Sequence, residues 1–193
     1  MKVIIGQSIG AVLMAIVYST VLVILGKISP MPFLRKIIGF LPIPASMGSS
    51  TATMPFTMNF CTEKMGVAQN LSSFSIPLGA TINMDGTCFY FSIFTIMIAK
   101  MYGLEINSSF LISLFIAILA LSIGAPGVPG GVFVCLTSII VSFGIPVEAA
   151  AFALGIEPLV SIFRMTVNIV GDIAVTTALA KNEKLLDEKI YLS

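Results

Sequence analysis

The sequence predicts an all-α membrane protein of transmembrane helices and two re-entrant helical hairpins, and three observations carry that prediction. Hydrophobic residues make up 57% of the 193 residues and charged ones only 10%, at a mean hydropathy of +1.06; a soluble domain carries about 25% charged residues. Long uncharged runs recur, each sized for the roughly 30 Å hydrocarbon core. The later runs are interrupted by Gly, Pro or polar clusters, which belong inside protein because unpaired backbone groups in lipid cost several kcal/mol each.

Composition also excludes. Ten basic against nine acidic residues leave a formal charge of +1 with no basic block, so no nucleic-acid partner is expected. With no histidine, and with only the separated Cys61, Cys88 and Cys135, zinc sites, His-based triads and Cys-x-x-Cys chemistry are not expected. Enzymatic catalysis is not expected either, because there is no histidine base and the acidic groups sit where cation coordination explains them better.

The first element, over 1–27, is a transmembrane helix: Val3 to Gly26 is free of charge and bracketed by Lys2 and Lys27. More apolar sequence follows it, which argues against a cleaved signal peptide. The stretch 32–66 is a first re-entrant hairpin, because its two apolar arms flank the small-residue tip Pro42-Ile-Pro44-Ala-Ser-Met-Gly-Ser-Ser-Thr-Ala-Thr-Met-Pro55. Over 67–101 a long helix is broken by Asn83-Met-Asp85-Gly-Thr87. A second hairpin, over 106–145, is split by Ser122-Ile-Gly-Ala-Pro-Gly-Val-Pro-Gly-Gly131, which cannot hold a straight helix; its glycines suit a gate. A polar transmembrane helix over 147–182 and a mixed-charge cytoplasmic tail over 183–193 complete the chain. The result is a degenerate two-fold repeat of loop and interrupted helix, the pattern that points to a binding site at the bilayer midplane.

Orientation follows from the excess of Lys and Arg in cytoplasmic loops. With both hairpins re-entrant, Lys27, Arg35, Lys36, Lys64, Lys181, Lys184 and Lys189 share one side, leaving Lys2 and Lys100 on the other.

Ionisable groups inside a membrane are costly and mark function. On the last helix Glu157, Ser161, Arg164, Asn168 and Asp172 fall within an arc of roughly 80°, so one stripe lines one cavity. Arg164 offers a planar fork of donors that suits an anionic substrate; an internal salt bridge to Asp172 or Glu157 is the alternative. Asp85 and Asp172, with Asn83 and Asn168, supply the oxygens that a hard cation takes, completed by backbone carbonyls near Gly86. A proton on one carboxylate stays open as the coupling ion. Ser49, Ser50, Thr51, Gly130 and Gly131 precede helix starts able to hold a carboxylate.

Ser49-Ser50-Thr51, Pro77-Leu-Gly-Ala-Thr-Ile-Asn-Met-Asp-Gly-Thr87, Gly124-Ala-Pro-Gly-Val-Pro-Gly130 and Arg164-x3-Asn168-x2-Gly171-Asp172 resemble, in order and spacing, the dicarboxylate/amino acid:cation symporter family, which includes glutamate and aspartate transporters. The resemblance runs from the family's sixth transmembrane helix to its eighth. It implies a multi-pass protein of the cell membrane and an elevator-type transport domain. One sodium site would use Gly79, Asn83, Asn168 and Asp172, and a second Thr81 with Ser122, Ile123 and Ala125. Substrate would meet Ser50, Thr51, Thr87, the tip from Val128 to Gly130, Arg164 and Asn168.

Two departures bear on substrate. Amino-acid-transporting members of the family carry Asp at the position of Ser161, where it receives the substrate ammonium, and Thr at that of Met165. A serine supplies no such charge, so a C4-dicarboxylate is expected over an acidic amino acid. The family's first five helices, which supply scaffold and trimer interface, have no counterpart in these residues. The resemblance therefore implies a partner scaffold half and a homotrimer, as in complete relatives; a fragment without activity, or a small pore, is the alternative.

Overall fold

The computed structural model describes residues 2–124 and 130–193, and the described residues contain helices and no named strand. Helix α1, Lys2–Ile24, is followed by α2, Pro30–Phe40, whose start is fixed by Pro30 and by the Ser29 hydroxyl, which accepts from the Met31 N–H at 3.4 Å. Pro at a first helical position loses nothing, because its missing N–H would have had no partner there. Helix α3, Pro42–Met47, stops at Gly48 in the left-handed region, φ 62°. The chain then reverses into α4, Ser50–Glu63, where the Ser49 side chain accepts from the Ala52 N–H at 3.2 Å. Phe40 stacks on Phe60 with ring centroids 4.4 Å apart, so α2–α4 is a helical hairpin with both ends on one side.

Helices α5, Gln69–Ile82, and α6, Asp85–Met101, are separated at Asn83 and Met84, whose φ/ψ values are not helical. Helix α7, Ser108–Gly124, and α8, Gly131–Ser142, form a second hairpin, closed at its base by Phe110 against Phe143 at 4.4 Å. The region expected as one polar helix over 147–182 is divided: a 3-10 turn Val147–Ala150 and the short α9, Ala151–Leu154, precede α10, Glu157–Asn182. Gly155 is a poor helix former, and Pro158 fits at the second position of the new helix. The short α11, Glu188–Leu192, ends the chain.

Among the described residues, three helical stretches are long and apolar enough to cross a membrane: Val3–Ile24, Gln69–Met101 and Glu157–Asn182. Among lipids, helix association depends on close packing more than on burial from water. Accordingly α1 meets α6 through Gly6 and Gly10, where an added Cβ would stand 3.0 Å from Ile93 and Phe89 respectively.

Two apolar cores result. One gathers Tyr90, Phe91, Phe94, Leu136 and Ile139 with Val160 of α10; the other gathers Tyr18, Leu22, Phe33, Ile37 and Tyr191 with Met165 and Ile173 of α10. The helix break at Asn83–Met84 and the polar stripe of α10 lie between them.

The segment 183–193, expected as a tail, is tied back to the first hairpin by hydrogen bonds while most of its residues stay exposed. Val67 bridges Leu186, the Ala68 N–H donates to the Leu185 carbonyl at 2.9 Å, and the Asp187 N–H donates to the Gly66 carbonyl at 2.7 Å. The Lys36 ammonium donates to the carbonyls of Lys64, Ile190 and Tyr191 at 2.8, 2.5 and 3.0 Å, and the buried Tyr191 hydroxyl donates to the Ser29 carbonyl at 2.7 Å. Partial burial, and Lys64 nearby, lower the Lys36 pKa. Lys36 and Lys64 thus gather at one end with the chain terminus, while Lys100 lies at the opposite end beside Val3.

Candidate functional site

The site forms where the α5–α6 break crosses the middle of α10. Breaking the helix at Asn83 turns its side chain across to α10, where both amide hydrogens are used: Nδ2 donates to the Asn168 carbonyl at 3.1 Å and to Asp172 Oδ1 at 2.8 Å. One turn earlier on α10 the Asn168 Oδ1 accepts from the Gly86 N–H at 2.8 Å, satisfying a donor at the start of α6. Its Nδ2 donates to Thr87 Oγ1 at 3.2 Å, beside the Met84 sulfur at 3.4 Å. Asn168, Asp172 and Thr87 are all buried.

Close packing at the site requires glycine at Gly79, where a Cβ would run into the Asp172 carboxylate, and at Gly86 and Gly171. A Cβ at Gly86 would run into the Arg164 carbonyl oxygen, and one at Gly171 would stand 2.6 Å from both Asn83 Nδ2 and the Tyr18 hydroxyl. Tyr18, from α1, reaches the same place: its hydroxyl donates to Asp85 Oδ2 at 2.7 Å, with the Val167 carbonyl a second acceptor at 3.2 Å.

A pocket of about 180 Å3 opens here, bordered by Ser75, Gly79, Asn83, Asp172 and Val175. The Asn83 Oδ1 and Asp172 Oδ2 accept from no donor among the described residues. No cluster of three His, Cys, Asp or Glu side chains occurs among those residues. The oxygens on offer are one carboxylate, an amide and backbone carbonyls, a hard and weakly charged set suited to a monovalent cation better than to a transition metal.

Arg164 stands two turns before Asp172 on α10 and is 6% exposed. Its Nη2 pairs with Glu157 Oε1 at 3.1 Å, its Cζ lies 5.7 Å from the centroid of the Tyr90 ring, and among the described residues Nη1 meets only the Met165 sulfur at 3.5 Å. Nε is buried without a hydrogen-bond partner among the described residues. Buried donors are rarely left so. The salt bridge anticipated as an alternative is therefore formed, to Glu157 and not to Asp172, yet it leaves most of the guanidinium fork open.

Residues 1–182 match the sodium:dicarboxylate symporter family. The chain belongs to that family. It is 33% identical over 146 residues to excitatory amino acid transporter 5 of Homo sapiens, which covers 76% of this chain and 26% of that protein. It is 34% identical over 147 residues to excitatory amino acid transporter 3 of Mus musculus, 76% of this chain and 28% of that protein. A proton/sodium-glutamate symport protein of Bacillus caldotenax is 35% identical over 144 residues, 75% of this chain and 34% of that protein. The chain thus spans between 26% and 34% of the length of these relatives. Family membership and the apolar spans make it a multi-pass membrane protein.

Of the residues singled out in this symporter-family chain, Gly79, Asn83, Thr87, Asn168 and Asp172 converge. Asp85 turns to Tyr18 instead of joining Asp172. Ser161 is half-buried one turn before Arg164, and its hydroxyl donates to the Pro158 carbonyl at 3.0 Å. Ser50 is buried and Thr51 exposed at the start of α4, which packs on α10. Of the set Thr81, Ser122, Ile123 and Ala125, Thr81 and Ile123 are exposed, Ser122 is buried and donates to the Leu119 carbonyl at 3.2 Å, and Ala125 lies outside the described residues. Val128 lies outside them too, and Gly130 begins α8 at φ 81°.

Two site residues were not singled out from sequence: Tyr18 and Tyr90. Tyr18 carried a usable signal, since a phenol within an apolar span needs a hydrogen-bond partner in protein.

Proposed function

We propose that the chain forms the cation- and substrate-binding part of a sodium-coupled symporter for a small organic anion, with a C4-dicarboxylate favoured over an acidic amino acid. The observation that carries this reading is the single polar file on α10: Arg164 with its buried, unpartnered Nε, then Asn168 and Asp172 bound to the broken helix. A substrate carboxylate meets the open edge of the Arg164 guanidinium in a bidentate pair. Sodium, carried as co-substrate, takes oxygens from Gly79, Asn83, Asn168 and Asp172, and Asp85 is held in reserve by Tyr18. Binding at one end of this polar file thereby stiffens the break that binding at its other end needs, which is a physical basis for coupling.

The relatives are named for glutamate or amino acids. Ser161 favours the dicarboxylate here because no carboxylate at that position meets an ammonium. The hairpins α2–α4 and α7–α8 re-enter the membrane, the second serving as the gate. The basic end faces the cytoplasm, and a scaffold half, in a homotrimer, completes the elevator.

Calorimetric titration of the purified chain with succinate and with aspartate, in sodium and in potassium, tests the binding reading. Succinate binding that requires sodium and exceeds aspartate binding is expected. Preference for aspartate removes the dicarboxylate assignment, and binding that follows pH while ignoring sodium makes the proton the coupling ion.

A further inference from the structure

Helices α1 and α10 run side by side in the same direction, Tyr18 meeting Val167 and Gly26 lying against Ala178. Where they end together, a cavity of about 440 Å3 is lined by Gly26, Lys27, Lys181, Asn182, Lys184 and Glu188. Both helices close on a lysine in the left-handed region, Lys27 at φ 52° and Lys184 at φ 58°, a position glycine usually holds.

Lysines near helix ends ordinarily need no explanation beyond the helix dipole. Here the last carbonyls already have backbone partners: the Gly26 N–H donates to Val21 O at 3.2 Å, Ile28 N–H to Leu22 O at 3.1 Å, and Leu185 N–H to Ala180 O at 2.8 Å. Among the described residues the side chains of Lys27 and Lys184 make neither a hydrogen bond nor an ion pair. The one carboxylate at the cavity, Glu188, is engaged by Lys181. Asp187, in the same turn, points its carboxylate to the N–H groups of Lys189 and Ile190 as the cap of α11. Two uncompensated ammonium groups therefore face one concave space.

That space adjoins an apolar surface. Val23, Ile24 and Leu25, in the turn before Lys27, are 50%, 64% and 57% exposed, and the exposed stripe continues up α1 through Val17, Ile16, Leu13 and Val12. A cationic pocket at the end of a membrane span, continuous with an apolar helix face, is complementary to a molecule with a phosphate head and long hydrocarbon chains.

We propose that this cavity binds the headgroup of an anionic phospholipid, whose acyl chains lie along the exposed face of α1. The site is separate from the α5–α6 break and stands whether or not the transport reading does.

Native mass spectrometry of the purified full chain tests it, using phosphatidylglycerol and phosphatidylcholine of identical acyl chains. Phosphatidylglycerol is expected to be retained preferentially, with Lys27→Gln and Lys184→Gln each lowering its retention about fivefold, and the double variant about thirtyfold. Lys27→Arg, which keeps the charge, retains the preference. Glu188→Gln, which frees Lys181, raises it, and Lys189→Gln, outside the cavity, leaves it unchanged. Equal retention of the two lipids by the unaltered chain overturns the proposal, as does an equal loss in Lys189→Gln. Inorganic phosphate supplies the last arm: if phosphate alone binds in a Lys27- and Lys184-dependent way and fully displaces phosphatidylglycerol, the cavity is a free-anion site and the lipid proposal is wrong.

Discussion

The Tyr18 hydroxyl of the first helix donates to the Asp85 carboxylate at 2.7 Å across 67 positions of sequence. This bond fixes the carboxylate that opens α6 and ties α1 to the break.

Tyr18→Phe removes the donor while keeping the ring. A hydrogen bond to a charged group contributes about 1.5–3 kcal/mol, so the variant is expected to melt at lower temperature in detergent. The sodium concentration giving half-maximal thermal stabilisation should rise, since the break that presents Asn83 loses its tie to α1. An unchanged sodium titration would show that the bond is purely structural.

Gly86→Ala and Gly171→Ala push a methyl into the Arg164 backbone and into the Asn83–Tyr18 contact respectively. Overpacking costs about 1–3 kcal/mol, with Gly86→Ala the more damaging because its neighbour is backbone. Gly39→Ala is the comparison: nothing lies within 4 Å of its added Cβ. There the gain in helix propensity is up to about 1 kcal/mol, so its melting temperature should hold or rise.

Ser161→Asp places a carboxylate one turn from Arg164. Aspartate binding is expected to improve by about tenfold to a hundredfold, the worth of a charge-assisted hydrogen bond to its ammonium. Succinate binding should weaken in the same titration through like-charge repulsion. No gain for aspartate would mean that position 161 does not face the substrate.

Lys36→Met leaves three carbonyls, those of Lys64, Ile190 and Tyr191, without their shared donor. The end of the chain should loosen from the first hairpin, and carboxypeptidase should remove residues from it several times faster than from the unaltered chain. Tyr191→Phe, which loses only the bond to Ser29, should give a smaller change in the same assay.

Much of the fold was legible because lipid imposes severe rules. A charge-free run from Val3 to Gly26 has one stable form in hydrocarbon, and Asn83-Met-Asp85-Gly-Thr87 cannot continue a buried helix quietly. The stripe of Arg164, Asn168 and Asp172 followed from helical period alone. The partnering of these groups was not legible. Asp85 and Asp172 look alike in sequence, yet one is held by Tyr18 of α1 and the other by Asn83 at the end of α5. Arg164 could have paired with Asp172 or Glu157, both on its own helix; it meets Glu157, while Asp172 accepts from Asn83.

The sequence by itself determined the solvent, the helices, their interruptions and the polar face of α10, since each depends on local composition and period. Only the tertiary structure decided that 183–193 is tied back to the first hairpin, that Tyr18 belongs to the site, and that Lys27 and Lys184 share a cavity. Those depend on which helix ends meet in space, and contacts between residues far apart in the chain leave no periodic trace in it.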